Sequence, residues 1–477
     1  MNVTQRTGGQ LLIDCLCAQG VTTGFGVPGE SYLAVLDAMV DVADKFEFVI
    51  CRNEGGAAFM AEAWGKLTGE PGVCFVTRGP GATNAAIGVH TARQDSTPMV
   101  LFVGQVATDQ KEREAFQEID YRSFYRDVAK WATEIEDVNR IPEMVARAFT
   151  VARSGRPGPV VVALPEDVLV ETTCAETCAQ VQIAEPAVDS QILNTAMELL
   201  ESAQKPLVLI GGGGWRRATS TRLQTFVEGS QLPVVSAFRF NDLLDNNSPC
   251  FVGEAGVAMR PFVREAISQA DVILALGIRF GEMTTDAYTL FDCPQPQQKI
   301  IHVHPSDGEL GKIYQAEMPI QSGVNAFVSS LGNMSLMSSA SRDKWCDSLR
   351  KSFLESLSCP PQPGGVDMGV ISAWLRDRLP TDTVVTNGAG NFTIWPNKFL
   401  LYGSDMRLLA PQSGAMGYGL PAAVAAKVAN RERTVICFAG DGDLQMNIQE
   451  LGTAMQAGAQ PIVLLLNNRM YGTIRMH

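Results

Sequence analysis

Two glycines flank an acid in Gly440-Asp441-Gly442, and after twenty-four residues the chain reaches the paired amides Asn467-Asn468. One carboxylate oxygen, one amide oxygen and a nearby main-chain carbonyl are hard donors that suit Mg²⁺, which usually completes its octahedron with phosphate oxygens and water. The glycines let backbone N–H groups approach a phosphate where a helix begins. Local pattern predicts the elements that must bring these groups together: a strand over 434–439, a helix over about 445–456 and a strand over 461–466. Successive parallel strands of a βαβ unit end at one sheet edge, so Asp441 and Asn468 converge there. That is the chemistry of a diphosphate–magnesium site. A lone Gly-Asp-Gly would read as an ordinary turn with a solvated acid; the acid, the helix length and the paired amides together favour the site.

A second acid, Glu54, follows a strand over 48–51 and opens an apolar helix in Arg52-Asn53-Glu54-Gly55-Gly56-Ala57-Ala58. Partial burial there raises a carboxylate pKa and suits it to proton exchange near neutrality. An acid favoured by the helix dipole, with no chemistry, explains the same position.

The elements around these groups alternate. Residues 1–172 give a helix over 10–18, a glycine-rich turn at Gly24-Phe25-Gly26-Val27-Pro28-Gly29, a helix over 57–67 and strands over 48–51, 73–77, 99–103 and 160–164. A polar stretch over 172–186 reads as a linker. Residues 187–334 give strands over 206–210, 233–236, 271–276 and 299–303. A second linker, 335–365, surrounds a short amphipathic helix, and residues 366–477 add strands over 383–386, 434–439 and 461–466. Alternation of this kind predicts an α/β protein of three open parallel-sheet domains, with ligands at the C-terminal strand edges. The middle domain carries Gly211-Gly212-Gly213-Gly214-Trp215 after a strand. Arg216 stands where a dinucleotide fingerprint needs its third glycine, so a tight turn is as good a reading as a nucleotide site.

Length sets the domain count, since 477 residues exceed what one core organises. A formal net charge of −13 argues against nucleic acid as the main partner. The start, Met1-Asn2-Val3-Thr4-Gln5-Arg6, has no apolar signal core, and the apolar runs are strand length, so no membrane segment is expected and the cytoplasm is. The eleven cysteines are odd in number, with no C-x-x-C pair; Cys15 with Cys17, and Cys174 with Cys178, lack zinc partners. Reduced, mostly buried thiols follow. His302 and His304 share a strand face without a third ligand, which points to a structural role.

The segment Gly440-Asp441-Gly442 through Asn468 resembles the thiamine diphosphate motif, and the resemblance extends over essentially the whole chain. It implies metal ligation by Asp441, Asn468 and the main-chain carbonyl of Met470, with Gly440, Gly442 and Asp443 about the diphosphate. Glu54 looks like the family glutamate that protonates the aminopyrimidine and thereby activates the thiazolium, although Asn53 stands where the family usually has His. Pro28 and Gly29 lie in a turn similar to the F-G-x-P-G turn beside the thiazolium. Thr77-Arg78-Gly79-Pro80-Gly81-Ala82-Thr83-Asn84 resembles T-S-G-P-G-A-T-N, with Arg78 replacing Ser. Ala115-Phe116-Gln117-Glu118 resembles the A-F-Q-E segment of the acetolactate synthase branch, which implies that Phe116 and Gln117 approach substrate; without the resemblance Gln117 reads as surface helix. Gly414, Ala415 and Met416 lie in a run similar to G-x-M-G-x-G-L-P-A-A, which implies pyrimidine binding by the main chain and support of the bent cofactor by Met416. Gly388, Gly390 and Asn391 stand where the family binds diphosphate, but depart from its G-Q-H-Q. Gly277-Ile278-Arg279-Phe280 is near the G-x-R-F of FAD-binding members, while Gly281-Glu282-Met283-Thr284 is not their D-D-R-V.

The resemblance implies thiamine diphosphate, Mg²⁺ and, as an option, FAD, in an acetolactate synthase-like enzyme. Such an enzyme decarboxylates a 2-oxo acid such as pyruvate and joins the product to a second carbonyl. It implies a homodimer or homotetramer, with Glu54 of one subunit facing the Asp441–Asn468 site of another. Another decarboxylase or carboligase of the same cofactor group, a flavin or nicotinamide oxidoreductase, and a non-catalytic subunit stand as alternatives. The chain reaches His477 nine residues after Asn468, where family members continue, so a truncated, lidless and catalytically impaired form is also an expectation.

Overall fold

The computed structural model describes residues 5–476; the start read above for a signal core, at Met1 to Thr4, and the end at His477 lie outside the described residues. The chain forms two compact units. One holds the residues up to Ala184, with Thr386–Gly390 and the segment from Pro411 onward; the other holds Glu185–Val385 and Asn391–Ala410.

The first unit is built on a six-stranded, fully parallel sheet in the order Glu47–Ile50, Thr23–Gly26, Gly72–Val76, Met99–Gln105, Pro159–Pro165, Trp131–Glu134. Its central strands are continuous apolar runs buried on both faces, as parallel strands covered by helices must be. The helix Gly8–Ala18 starts at a capping box in which Thr7 and Gln10 satisfy each other's backbone N–H. The small residues of helix Glu54–Thr68 let it approach helix Pro80–Asp95 so closely that a Cβ on Gly88 would lie 2.4 Å from the Ala58 Cβ. Sequence reading assigned Gly24 to Gly29 to one turn. In the structure the strand Thr23–Gly26 takes the first three of these residues. Gly26 is there for close approach, since a Cβ would stand 2.3 Å from the Phe75 carbonyl oxygen of the neighbouring strand. The chain order reverses between Thr23–Gly26 and Gly72–Val76, and the loops leaving them are Val27-Pro28-Gly29 and Thr77 to Gly81. Open α/β sheets bind ligands at such a switch point.

The same unit holds the end of strand Val384–Asn387 beside Val435–Gly440, which pairs in parallel with Ile462–Leu466. Gly440 is in register with Leu466, so the Gly-Asp-Gly turn and the amide pair leave one edge together. The helix expected over 445–456 is two pieces, Asp441–Gln445 and Glu450–Gln456. Between them the Asn447 side chain donates to the Gly417 carbonyl at 2.9 Å, a side-chain-to-backbone bond that competes with continuing the helix.

The second unit is a six-stranded parallel sheet ordered Phe251–Ala255, Val234–Ala237, Pro206–Ile210, Val272–Leu276, Lys299–His304, Met318–Gln321. This is the doubly wound order, with its switch point between Pro206–Ile210 and Val272–Leu276. Arg407–Leu409 lies beside the start of Val384–Asn387 in this unit. The helix expected to be short runs over seventeen residues, Ala340–Ser356, and sends Cys346, Leu349 and Phe353 into the central core. That burial is what stabilises a helix whose sequence is otherwise polar. The stretch 172–186 is largely irregular, as expected of a linker, yet Thr172–Thr173 pairs antiparallel with Arg6–Thr7. Among the described residues no helix is long and apolar enough to cross a membrane.

Candidate active site

At the first switch point, Glu54 is the first residue of helix Glu54–Thr68, whose N-cap Asn53 accepts the Gly55 N–H at 2.8 Å. The half-buried Glu54 carboxylate accepts a hydrogen bond from Asn84 Nδ2 at 2.9 Å. A Cβ on Gly81 would meet Glu54 Oε1 at 3.3 Å, so the Thr77 to Gly81 loop lies against the acid. Ser31 and Thr77 hydroxyls share a hydrogen bond of 2.9 Å, and a Cβ on Gly29 would strike Thr77, which places the Pro28-Gly29 loop alongside. Arg78, nearly buried, pairs with Glu166 at 3.2 Å and Glu30 at 3.4 Å and so anchors this loop from behind.

Gln117 joins the same cluster. Its segment is a turn, where unaided sequence reading expected surface helix, because Glu118 accepts the backbone N–H groups of Glu112 and Ala115 at 2.6 and 3.0 Å. Those bonds hold the Glu118 carboxyl below its ordinary pKa. Gln117 takes φ of 65°, and its Cβ packs where a Gly79 side chain would be, 2.8 Å away. A non-glycine residue in this left-handed conformation is strained and needs its surroundings to hold it. Phe116 beside it is 72% exposed, a large apolar surface at the edge of the cluster.

At the other sheet, Asp441 and Gly442 begin a short helix, and a Cβ on Gly442 would meet the Tyr471 ring at 2.9 Å and Met416 Cε at 3.6 Å. Met416 and Tyr471 therefore flank the Gly-Asp-Gly turn. Asn468 Oδ1 accepts the Met470 N–H at 3.1 Å, fixing the turn that presents the amide and the Met470 carbonyl. Among the described residues no three His, Cys, Asp or Glu side chains converge as a metal site. The donors at this edge are a carboxylate, an amide oxygen and a carbonyl, a set that fits a hard, phosphate-bound cation.

The deepest group here is Asp443, only 3% exposed. Its Oδ1 accepts the backbone N–H of Ala389 at 3.0 Å and of Gly417 at 2.9 Å. It thereby ties the Gly388-Ala389-Gly390 loop to the Gly414 to Gly417 loop at the switch point of this sheet. A Cβ on Gly388 would stand 2.0 Å from that oxygen, so only glycine leaves room for the carboxylate. Asn391 begins the short turn Asn391–Thr393 after this loop.

Two further acids were not singled out in the sequence. Glu450, fully buried, accepts the backbone N–H groups of Arg52 and Asn53 at 3.2 and 3.0 Å and the Thr453 hydroxyl at 2.6 Å. It holds the residues immediately before Glu54, and burial raises its pKa. Glu62, fully buried, accepts from Tyr418 at 2.5 Å and Thr97 at 2.7 Å; burial, and then the nearby Asp95 charge, push its pKa up to about 7. Asp95 in turn pairs with Lys66 at 2.7 Å. A lone acid within Ala57-Ala58-Phe59-Met60-Ala61-Glu62-Ala63-Trp64 was the available signal for Glu62; nothing local marks Glu450.

Three models of thiamine pyrophosphate enzymes match in sequence order: the N-terminal TPP binding domain over residues 6–124, the central domain over 193–331 and the C-terminal TPP binding domain over 388–477. The acetolactate synthase isozyme 2 large subunit of Escherichia coli (strain K12) is 31% identical, over 98% of this chain and 84% of that protein. The chain belongs to the thiamine pyrophosphate enzyme family. Within that family it falls in the acetolactate synthase branch. The acetolactate synthase large subunit of Parasynechococcus marenigrum (strain WH8102) is 32% identical over 98% of this chain and 77% of its own length. The mitochondrial acetolactate synthase catalytic subunit of Saccharomyces cerevisiae is 32% identical over 98% and 72%. This member of the thiamine pyrophosphate family thus carries both cofactor-binding modules and the central domain. In the central unit His302 is buried and bonded to the Ile278 carbonyl at 3.1 Å, and burial depresses its pKa to about 4, consistent with a structural histidine.

Proposed function

We propose that the chain decarboxylates a 2-oxo acid, pyruvate being the simplest, and joins the product to a second carbonyl compound. The observation that carries this is the gathering of Glu54, the Thr77 to Gly81 loop and Gln117 at one switch point. Thiamine diphosphate supplies the electron sink for loss of CO₂ and for the new carbon–carbon bond. The chain's part is to bind, orient and move protons. Glu54 holds and exchanges the proton of the aminopyrimidine, with Asn84 orienting its carboxylate. Asp441, the Asn468 amide and the Met470 carbonyl would hold Mg²⁺, which would supply the positive charge that a diphosphate needs. Gly388, Gly390, Asn391, Gly440 and Gly442 shape the diphosphate loops, while Gly414, Ala415 and Met416 carry the pyrimidine. Asp443 braces those loops from within, since an anion is a poor ligand for a diphosphate. Pro28, Gly29, Phe116 and Gln117 border the substrate.

In this reading each site takes Glu54 from one copy and the Asp441–Asn468 edge from another, so the active form is at least a homodimer. Exposed Met446, Ile448, Leu451 and Met455 beside the Gly-Asp-Gly turn support a covered surface. A flavin in the central unit is a second reading. Gly211 to Gly214 and Gly277 to Arg279 leave adjacent strands at the switch point of the doubly wound sheet.

The deciding experiment measures pyruvate consumption and products with and without thiamine diphosphate, Mg²⁺ and FAD, in the native chain and in Glu54→Gln. Acetolactate formed only with thiamine diphosphate and Mg²⁺, and lost in Glu54→Gln with cofactor binding retained, is the expected result. Thiamine-independent turnover, or full activity in Glu54→Gln, refutes the assignment. Flavin absorbance carried by the purified protein decides the second reading.

A further inference from the structure

We propose that Glu62 and Asp95 are positioning residues for the cofactor, holding the two ends of the 411–418 loop from a pair of helices in the N-terminal domain. The inference rests on the reading above in which Gly414, Ala415 and Met416 of this loop carry the pyrimidine. Such a loop needs tethers. It turns at Gly414 and Gly417, with φ of 65° and 83°, and glycine loses more backbone freedom on being ordered than any other residue. Residues 412–416 are at least partly exposed, whereas Gly417 and Tyr418 are buried.

Each tether comes from a helix of the same chain. Thr91 and Asp95 lie one turn apart on helix Pro80–Asp95 and share a face. Asp95 Oδ1 accepts the Gln412 N–H at 2.7 Å, and the Thr91 and Ser413 hydroxyls share a hydrogen bond of 2.9 Å. At the other end of the loop, Glu62 of helix Glu54–Thr68 accepts the Tyr418 hydroxyl on Oε2 at 2.5 Å. The Tyr418 ring stands edge-on to Phe59 of that helix, with centroids 5.4 Å apart. Both acids are themselves fixed. Glu62 Oε1 accepts the Thr97 hydroxyl at 2.7 Å, and Asp95 Oδ2 pairs with Lys66, one turn beyond Glu62, at 2.7 Å.

Glu62, Thr91, Asp95 and Tyr418 are each no more than 1% exposed. Two buried carboxylates with one ammonium are a costly way to fill a core, since apolar side chains of similar volume often stabilise as well or better. What the acids add is direction: one oxygen of each takes a loop donor and the other is held within the N-terminal domain. Asp443 and Asn447 hold the same loop at Gly417 from the opposite direction in sequence. The pyrimidine segment is thus fixed at both ends, and Glu62 and Asp95 act through Tyr418 and Gln412 rather than on the reacting atoms.

The test titrates the full chain with thiamine diphosphate and Mg²⁺, and separately with inorganic diphosphate and Mg²⁺, a probe that lacks the pyrimidine. Tyr418→Phe removes the hydroxyl and keeps the ring on Phe59. Loss of a hydrogen bond to a charged group is expected to weaken thiamine diphosphate binding about tenfold in Tyr418→Phe, and at least as much in Glu62→Ala, with inorganic diphosphate binding unchanged. Glu62→Gln keeps an oxygen for the hydroxyl and is expected to bind like the native chain. Asp95→Ala combined with Lys66→Met, which removes the ammonium with its partner, is expected to show the same selective loss. In the cofactor-free protein, hydrogen exchange over 411–418 should rise in Tyr418→Phe by a similar factor. Native thiamine diphosphate affinity in Tyr418→Phe, an equal loss for inorganic diphosphate, or a Glu62→Gln as weak as Glu62→Ala overturns the proposal. Met416→Ala separates it from the reading beneath it. Native binding in Met416→Ala means that the pyrimidine does not lie on this loop; weakened binding there beside native binding in Tyr418→Phe refutes the positioning role alone.

Discussion

Replacing Asp443 by alanine removes the one oxygen that accepts both the Ala389 and the Gly417 backbone N–H, at 3.0 and 2.9 Å. The site is 3% exposed, so water does not readily replace the acceptor. Each stranded backbone donor costs about 1–3 kcal/mol, or roughly 2–6 kcal/mol for the pair. At 1.4 kcal/mol per decade, local opening of the two loops becomes about one and a half to four decades more frequent. The lower end is favoured, because the Asn447 bond to the Gly417 carbonyl survives. Hydrogen exchange read by mass spectrometry on fragments covering 386–390 and 414–418 measures this directly. Asp443→Asn keeps an amide oxygen in the same place and is expected to change exchange by less than about a decade. Equal exchange in native protein and Asp443→Ala would show that the carboxylate does not brace the loops. An asparagine as damaging as alanine would show that charge, and not the pair of hydrogen bonds, is what matters.

Gly388→Ala places a methyl 2.0 Å from Asp443 Oδ1; thiamine diphosphate titrations should show at least about a tenfold loss of affinity as the loop shifts, and unchanged affinity would mean the loop plays no part in binding. Glu62 has a folded-state pKa raised to about 7 from 4.5, so it favours the folded state fully below about pH 4.5 and loses that contribution as pH rises through 7. Urea unfolding at a series of pH values should therefore find Glu62→Gln gaining on the native protein across that window, and parallel pH profiles would refute it. Gln117→Ala leaves the Glu118 bonds that form the turn intact. It should alter the ratio of carboligated product to aldehyde with little change in thermal midpoint, and a changed midpoint with an unchanged product ratio would make Gln117 purely structural.

The alternation of apolar strands and helices made the three parallel sheets legible from the chain alone. The strands that were read had their ends placed within about two residues because continuous Val, Ile, Leu and Phe runs are bounded by Gly, Pro and Asp, while Thr23–Gly26, Trp131–Glu134, Phe251–Ala255, Met318–Gln321 and Arg407–Leu409 were not read as strands. Glu54, Thr77 to Gly81 and the Gly-Asp-Gly turn stood out because each directly follows a strand or opens a helix, whereas Met416 and Gln117 were singled out only by resemblance, since the chain alone reads them as ordinary core and surface helix. Treating local pattern as sufficient misled in places. Gly24 and Gly26 punctuate like a turn, yet they sit in a strand because Phe46 and Phe75 approach too closely for a side chain. The stretch over 445–456 reads as one helix, yet Asn447 spends its side chain on Gly417 and divides it.

Residue identity and short-range spacing by themselves placed Glu54, Gly440-Asp441-Gly442 and Asn467-Asn468 at the ends of strands. Only the tertiary structure decided which acids hold these groups in place. Asp443 reaches back 54 residues to Ala389, and Glu450 reaches 398 residues to Arg52. Periodicity carries the hydrophobic demand of an element, which is local and repeated. A buried polar group is satisfied by whichever partner the packed chain delivers, and that partner leaves no trace in the neighbouring residues.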